Sequence, residues 1–317
     1  MNCRICSTTI TEKFQVKEMV LGYSDEFTYE ICSNCETIQI KSIPENLTHY
    51  YPNSYYSLSK IDTLKKFNFL KAKLLYRRDL HLYGVKKSAL GKIVNKLFPG
   101  TLGSMHLANQ FVLKQLYSKT NPKIHDAGCG TGQFLNYFNV LGFKNLSGSD
   151  PFIDNSISYG DLKIERTEIS EINETFDCIT LNHVIEHVLD PKEYMQHIFK
   201  RLNLNGTCLV RTPMALSNGY LSYKENWVGL EAPRHLHVFS QKGFVDMVKE
   251  IGFKVDEIRF DTLGWHYQVS EAYKQNIPQS RLEDITFSPE KLNYFDELAE
   301  KANQEKNGDT IAYYLRK

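Results

Sequence analysis

The sequence of 317 residues has no long apolar segment and almost no net charge. No uninterrupted apolar run comes near the roughly 18 residues that a membrane-spanning helix needs. The 38 Lys and Arg side chains offset 37 Asp and Glu, so the formal net charge is only +1. A chain so nearly neutral lacks the overall field of nucleic-acid-binding proteins. Its first residues do not read as a secretory signal. These absences predict a cytoplasmic protein without a membrane span and argue against nucleic acid as a partner.

Cysteine is scarce after the first 35 residues: four of the seven cysteines lie before that point, as Cys3-x-x-Cys6 and Cys32-x-x-Cys35. Without an export signal, a disulfide framework is not expected. Four thiolates satisfy tetrahedral Zn²⁺, and a domain this small needs a metal to fold. A redox pair should open a helix, which neither pair does, and unrelated free thiols are the other alternative. The spacing predicts a structural Zn²⁺ site in a zinc ribbon over residues 1–42.

The most informative stretch is HDAGCGTGQFL at residues 125–135. It follows a short apolar run and leads into a segment with helical periodicity, so it predicts a strand, a glycine-rich turn and a helix. Glycines at alternate positions let the backbone turn sharply and approach a ligand closely. The helix N-terminus then presents free N–H groups to that ligand. Asp150 closes the next apolar segment, where an acid can accept hydrogen bonds from both hydroxyls of a ribose.

The details of this loop separate two nucleoside cofactors. A dinucleotide fold needs Gly-x-Gly-x-x-Gly, whereas here the spacing is Gly-x-Gly-x-Gly and Gln133 follows. The preceding Asp126 would repel a pyrophosphate but suits a cationic ligand. On these residues the chain resembles the class I S-adenosylmethionine-dependent methyltransferases, whose first motif reads Asp/Glu-x-Gly-x-Gly-x-Gly. The resemblance implies S-adenosyl-L-methionine as cofactor, with Asp126 and the loop at its methionine end and Asp150 at its ribose. The cofactor-binding residues so implied are Asp126, Gly128, Cys129, Gly130, Gly132, Gln133, Phe134, Asp150, Pro151, Glu168, Asn182 and His183.

Strand and helix patterns alternate through the second half of the chain, as an α/β fold requires. Strands are predicted near 123–126, 145–149, 162–165, 177–181, 206–211, 253–260 and 310–315, and helices at 132–141 and 191–203. The resemblance implies that residues 121–317 form a doubly wound, mostly parallel, seven-stranded Rossmann-like sheet, with one antiparallel strand in its final hairpin.

Residues 43–120 are predicted to form a Tyr-rich link and a basic helical segment. The link contains YYPNSYY at 50–56, whose tyrosines either line a sugar site or pin the link to the main domain. From 60 to 96, Lys and Arg dominate around apolar residues at helical spacing, and a second amphipathic helix is predicted over 102–116. A solvated face is the simplest interpretation of the basic helix. Contact with a phosphorylated substrate, a nucleic-acid backbone or an anionic membrane remains open.

The zinc ribbon and Tyr-Pro-rich link resemble a subgroup of methyltransferases similar to enzymes of sugar and surface-polysaccharide biosynthesis. This resemblance implies a small-molecule or glycan acceptor, and an acceptor loop around Trp227, His235 and His237 in which one histidine is the general base. His237 is preferred here. Relatives that methylate sugar carbon carry a long additional C-terminal domain, so an oxygen acceptor is expected. The candidate catalytic residues are His237, His235, His187 and Glu186. The sequence gives no indication of oligomeric state.

Three alternatives stay open beside this interpretation. Glu186, His187 and His237 match the metal ligands of small-RNA 2′-O-methyltransferases, although His183 replaces the first carboxylate and so favours Mn²⁺, Fe²⁺ or Zn²⁺ over Mg²⁺. The histidines can instead have a packing role, or the whole chain can be a non-catalytic binding module. The pattern His-x-x-Glu-His also occurs in metalloproteases, but a helix starting at Asp190-Pro191 follows too soon for that site.

Overall fold

The computed structural model of the protein describes residues 2–10, 12–51, 69–100 and 105–317, without the side chain of Phe69. The strands are β1 (Glu12–Lys17), β2 (Glu26–Ile31), β3 (Ile38–Ile40), β4 (Lys123–Ala127), β5 (Asn145–Ser149), β6 (Ile157–Tyr159), β7 (Leu162–Glu165), β8 (Phe176–Asn182), β9 (Leu202–Pro213), β10 (His237–Val238), β11 (Lys254–Phe260) and β12 (Thr310–Arg316). The helices are α1 (Phe69–Leu82), α2 (Ala89–Leu97), α3 (His106–Leu116), α4 (Gln133–Val140), α5 (Pro191–Arg201), α6 (Asn218–Tyr223), α7 (Gln241–Ile251), α8 (Gly264–Lys274) and α9 (Pro289–Gln304).

The larger sheet has the order β11-β12-β9-β8-β4-β5-β7-β6. Strand β4 is parallel to β5 and β8, and β5 is parallel to β7, which confirms a mostly parallel, Rossmann-like sheet. The expected seven strands were wrong, because the sheet has eight. The additional strand β6 pairs antiparallel with β7, and Tyr159 faces Leu162 across a two-residue turn. Three residues before a Gly-Asp turn are too few to show a periodic pattern, so periodicity could not predict this strand.

The predicted elements agree in position with those observed, with differences at their ends. Strand β9 begins at Leu202, earlier than the predicted strand at 206–211. The chain passes directly from α5 into β9, although Asn205 within this strand has a left-handed φ of 61°. The predicted helix over 191–203 therefore ends at Arg201.

A second, four-stranded sheet has the order β1-β2-β3-β10. Strands β1 and β2 form the strand-rich insert between the two cysteine pairs and are antiparallel, as are β2 with β3 and β3 with β10. The apolar side chains of this sheet are buried with those of the segment after β9; they include Tyr29, Ile38, Ile40, Tyr220, Trp227 and Leu236.

The chain divides into two compact units, and each is made of several segments. The first contains residues 1–52, 183–196 and 211–313, and the second contains 53–182, 197–210 and 314–317. The linear boundaries after residues 42 and 120 stay predictions.

The basic segment forms two helices where one was expected. Helices α1 and α2 are separated by a turn after Leu82 that contains Gly84, and residues 60–68 lie outside the described part of the chain, as do Tyr55, Tyr56 and Leu102. Helix α3 buries Leu107, Phe111 and Val112 and packs on β8, so it covers the sheet as predicted. Across the ranges that the structure describes, no helix combines the length and apolar character that a bilayer crossing requires.

Candidate cofactor and acceptor sites

The glycine-rich loop connects β4 to α4 through a backbone that glycine alone adopts easily. Gly128, Gly130 and Gly132 have φ values of 71°, 53° and 87°, all in the left-handed region. A Cβ atom on Gly132 would overlap the side chain of Ile164 on β7. Gln133 and Phe134 form the first turn of α4 directly after the loop. The local glycine pattern therefore fixes both the sharp turn and the close packing of the helix on the sheet.

Asp150 follows β5 and holds two backbone segments in place. Its Oδ2 accepts a hydrogen bond from the amide of Gly130 at 2.8 Å, and its Oδ1 accepts one from the amide of Phe152 at 2.9 Å. Burial raises the pKa of Asp150 above its usual value. Pro151 lies in the turn between Asp150 and Phe152. The acid expected at the ribose thus also anchors the glycine loop.

Asp126 lies near the end of β4, before the glycine-rich loop, and its carboxyl group is buried. The hydroxyl of Thr180 on β8 donates to its Oδ1 at 2.6 Å, and the two residues are register partners. Burial raises the pKa of Asp126 to about 7, although Thr180 and Asn182 oppose the shift. The amide nitrogen and oxygen of Asn182 have no hydrogen-bond partner of good geometry among the described residues.

These features fit S-adenosylmethionine. A buried carboxyl group suits a cationic ligand, and buried polar atoms without partners suit its hydrogen-bonding groups. The loop glycines also leave room for close approach of the ligand to the backbone. Of the other residues that the resemblance implied, Cys129 lies in the loop, whereas Glu168 is exposed on the turn after β7. Thr180 was missed, because a threonine inside a buried strand carries no signal of its own.

The segment after Asn182 forms a short 3₁₀ turn at Ile185–His187 and contains a chain of polar contacts. Arg211 donates from Nη1 to Nε2 of His183 at 2.7 Å and from Nε to Asp261 at 2.6 Å. Because an arginine only donates, His183 must carry its proton on Nδ1, which lies 3.1 Å from Oε1 of Glu186. The hydroxyl of Thr212 donates to the other Glu186 oxygen at 3.0 Å.

These hydrogen bonds determine the charge of Glu186. Burial alone would raise the pKa of Glu186, but the hydrogen bond from His183 and the nearby imidazoles lower it to about 2. The carboxylate is therefore ionised at neutral pH. Arg211 and Asp261 were not found from the sequence, because they are 28 and 78 residues away from His183 and match no motif.

Two further histidines lie beside Glu186 with their rings held by backbone carbonyls. The Nδ1 of His187 donates to the carbonyl of Arg234 at 3.0 Å and lies 3.2 Å from the hydroxyl of Tyr51. The Nδ1 of His235 donates to the carbonyl of Gly229 at 2.8 Å. In both rings a carbonyl thus fixes the proton on Nδ1, and Nε2 is the nitrogen left for another contact. Burial, and next the proximity of His235, lower the pKa of His187 to about 4.

An ion pair completes this region. The Nε of Arg234 donates to Glu231 at 2.9 Å, and Nη1 donates to the carbonyl of Tyr50 at 2.9 Å. The second oxygen of Glu231 lies 3.5 Å from Nε2 of His235. Burial works to raise the pKa of Glu231, but His235 and Arg234 together lower it to about 2. Glu231 is therefore a carboxylate placed to stabilise an imidazolium at His235.

The preferred histidine of the sequence interpretation lies elsewhere. His237 starts β10, pairs with Gln39 on β3, and its fully buried ring is 6.0 Å from that of Phe239. Its pKa is lowered to about 4, chiefly by burial. Trp227 is also buried, and its indole N–H donates to Asp309 at 2.9 Å. The structure therefore brings together Glu186, His187 and His235, with His237 and Trp227 in packed positions.

The four N-terminal cysteines form a separate cluster. Their Sγ atoms all lie within 4.8 Å of one another, and the Cys3–Cys35 and Cys6–Cys32 distances are both 3.5 Å. All four are free thiols, and the separations are far from the roughly 2.05 Å of a disulfide. Tetrahedral Zn–S bonds of about 2.3 Å require sulfur atoms about 3.8 Å apart. The donor set and its spacing fit Zn²⁺.

Comparison with known proteins agrees with this geometry. Residues 105–258 match a family model described as a methyltransferase domain. A ubiquinone biosynthesis O-methyltransferase from Rickettsia bellii is 23% identical over 188 residues, which cover 50% of this chain and 76% of that protein. The mitochondrial enzyme of the same name from Bos taurus is 28% identical over 116 residues, which cover 32% of this chain and 30% of that enzyme.

Among solved structures, an S-adenosylmethionine-dependent methyltransferase from Mesorhizobium loti has a TM-score of 0.44 at 14% identity, covering 68% of this chain and 98% of its own. A cyclopropane synthase from Mycobacterium tuberculosis has a TM-score of 0.44 at 16% identity, and the match covers 81% of this chain and 100% of that chain. These likenesses are too distant to indicate a substrate. The family match and the curated relatives together support an S-adenosylmethionine-dependent methyltransferase, with a methyltransferase domain in residues 105–258.

Proposed function

We propose that this enzyme methylates a hydroxyl oxygen of a sugar, a nucleotide-linked sugar or a glycan, with His235 as the general base. The observation that carries the proposal is the orientation of His235. Its Nδ1–H is fixed on the carbonyl of Gly229, and the Glu231 carboxylate lies 3.5 Å from Nε2, where it favours a proton on that nitrogen. A base oriented by one acceptor and backed by an anion is the arrangement that general base catalysis needs.

The surroundings of His235 support a polar acceptor. Glu186, Glu231 and the hydroxyl of Tyr51 add hydrogen-bonding groups around His187 and His235. Such groups suit the several hydroxyls of a sugar better than an apolar ring system. The curated relatives are named O-methyltransferases, which supports oxygen as the acceptor atom. The turn that contains Glu186 and His187 directly follows Asn182 in the chain.

The mechanism follows from these roles. Bound S-adenosylmethionine supplies an activated methyl group on a cationic sulfur. Asp126 and the glycine loop hold its charged methionine end, and Asp150 holds its ribose hydroxyls. His235 would take the proton of the acceptor hydroxyl at Nε2, and Glu231 would stabilise the imidazolium that forms. His183, held by Arg211, keeps the Glu186 carboxylate in place.

The test compares the two histidines directly. Methyl transfer from labelled S-adenosylmethionine is measured against a panel of nucleotide sugars, free sugars and catechols, and products are identified by mass spectrometry. With an active acceptor, His235→Gln should lower turnover by roughly 10²–10⁴-fold with unchanged cofactor affinity. His237→Gln, matched in size and neighbourhood, should affect stability more than turnover. Activity on catechols alone would refute the sugar assignment, and full activity of His235→Gln would refute the base.

We propose further that the four cysteines bind one structural Zn²⁺ ion within the zinc ribbon. The support is the convergence of four free thiols at the spacing of a tetrahedral site. The predicted outcome is about one zinc per chain by elemental analysis, lost in Cys6→Ser. Cys208→Ser is a matched control, because Cys208 is a buried thiol outside the cluster.

A second candidate is a metal-assisted reaction, such as 2′-O-methylation of RNA. It is favoured by one observation: ligand atoms of Glu186, His187 and His235 lie within 4.8 Å of one another. Both imidazoles donate Nδ1–H to a carbonyl, which is the usual outer support of metal-binding histidines. These residues would hold Mn²⁺, Fe²⁺ or Zn²⁺, which would lower the pKa of the acceptor hydroxyl.

Cobalt substitution separates the two metal sites. Co²⁺ bound by thiolates gives an intense sulfur-to-metal absorption band, whereas Co²⁺ bound by nitrogen and oxygen does not. The second candidate would be established if activity were lost on chelation and restored by Mn²⁺ or Co²⁺, and if the Co²⁺-restored enzyme lacked the sulfur-to-metal band. Chelator-resistant activity would exclude it.

A further inference from the structure

Helix α2 presents an apolar face that no described part of the chain covers. Leu90, Ile93 and Leu97 are 41%, 56% and 67% exposed, and Phe98 after them is 62% exposed. At 100° per residue, the three helical side chains lie within an arc of about 60°. The helix is held from another side, where Val94 is buried and Gly91 packs so closely on α1 that a Cβ would overlap the carbonyl of Arg77.

Lysines border this face. Lys92 and Lys96 are exposed on the same helix, on the flank of the apolar arc away from Val94. Lys86 and Lys87 are exposed just before the helix begins. The sequence contains no Asp or Glu between Asp79 and Asp126, so this whole stretch of chain carries positive charge only. This surface is therefore an exposed apolar stripe with lysines along its edge.

We propose that α2 docks on an anionic membrane surface. Leu90, Ile93 and Leu97, followed by Phe98, would enter the boundary between headgroups and acyl chains, and the four lysines would lie against lipid phosphates. The geometry matches an interfacial helix, which keeps an apolar arc beside a cationic flank and lies flat on the bilayer.

The positive charge around this face favours an anionic membrane over a second copy of the chain. A second copy seated face to face on the same surface would bring the lysines of both copies together, and this stretch offers no carboxylate to pair with them. A purely solvated helix would not need three neighbouring aliphatic side chains on its outer face. An isolated exposed residue such as Leu204, 85% exposed, needs no such explanation.

The test is cosedimentation of the full chain with phosphatidylcholine vesicles that contain or lack phosphatidylglycerol. We expect binding to the anionic vesicles only, and weaker binding at high salt. Ile93→Ser with Leu97→Ser should abolish binding, and Lys92→Glu with Lys96→Glu should weaken it by at least roughly fivefold per lysine. Leu204→Ser, an exposed leucine outside the face, should bind like the parent.

Folding is checked by thermal unfolding and by calorimetric binding of S-adenosylmethionine, which these exposed substitutions should leave unchanged. The charge-reversal pair keeps every apolar side chain, so it remains informative if the serine pair fails to fold. Equal binding to neutral and anionic vesicles, no binding at all, or unchanged binding by both variants would overturn the proposal. A dimer of the parent by sedimentation equilibrium that the serine pair loses would assign the face to a second copy and would also overturn it.

Discussion

The buried carboxyl group of Asp126 should couple cofactor binding to proton release. Burial raises its pKa from 3.8 to about 7, and the neighbouring Asp150 adds to the shift. In the cofactor-free protein the group is therefore mostly protonated at pH 6 and mostly ionised at pH 7.5. A cationic ligand binds the ionised form, so binding below pH 7 must displace a proton. Affinity for S-adenosylmethionine should fall by up to about tenfold for each pH unit below 7.

Isothermal titration calorimetry measures this directly. At pH 6, the binding enthalpies measured in two buffers of different ionisation enthalpy should differ by the amount expected for the release of close to one proton. This difference should shrink toward pH 7.5. The range stays below about pH 7.5 so that the amino group of the ligand remains protonated. In Asp126→Asn, the affinity should be low at every pH, and the binding enthalpy should be the same in both buffers. Equal affinity of the parent at pH 6 and pH 7.5 would refute the reasoning.

The same shift has a consequence for stability, with a definite sign. A carboxyl group whose pKa is raised by folding destabilises the cofactor-free protein increasingly as pH rises from about 4 to about 7. With the pKa raised from 3.8 to about 7, the cost in folding free energy reaches about 4 kcal/mol at pH 7.5 and about 2 kcal/mol at pH 5. The advantage of Asp126→Asn over the parent in urea unfolding should therefore grow by about 2–3 kcal/mol between pH 5 and pH 7.5. A pH-independent difference would contradict the buried, raised carboxyl.

Three shorter predictions concern other parts of the chain. Asp150→Ala should weaken S-adenosylmethionine binding by about 2–4 kcal/mol in calorimetry, whereas the exposed Asp154→Ala should not, and equal affinity would remove the ribose assignment. Cys6→Ser should lower the thermal midpoint and make it insensitive to chelators, to which the parent should respond; a chelator-insensitive parent would contradict a structural zinc site. Arg211→Met should lower the free energy of unfolding by about 3–5 kcal/mol, because Asp261 keeps a buried unpaired charge. Adding Asp261→Asn should restore most of that loss, and no restoration would contradict the pairing.

The conformation of the glycine-rich loop was predictable because its information is local. Three glycines at alternate positions encode the left-handed turn, and the pattern of strand, loop and helix lies within residues 123–140. Asp150 needs only the next strand, which in a parallel sheet ends at the same edge. The contacts around His187, in contrast, join residues that are distant in the sequence. Tyr51 reaches His187 across 136 residues, and no short-range pattern signals such a contact.

The two histidines show most clearly where sequence reasoning stops. His235 and His237 are two residues apart, and in a continuous strand they would point to the same face. The strand, however, begins only at His237, which pairs with Gln39 and is therefore committed to the four-stranded sheet. His235 lies before the strand, where its backbone carbonyl accepts a hydrogen bond from the hydroxyl of Tyr29 and its ring turns to Gly229 and Glu231. Where the strand begins thus decides the different surroundings of the two histidines, and element ends are what periodicity locates least well.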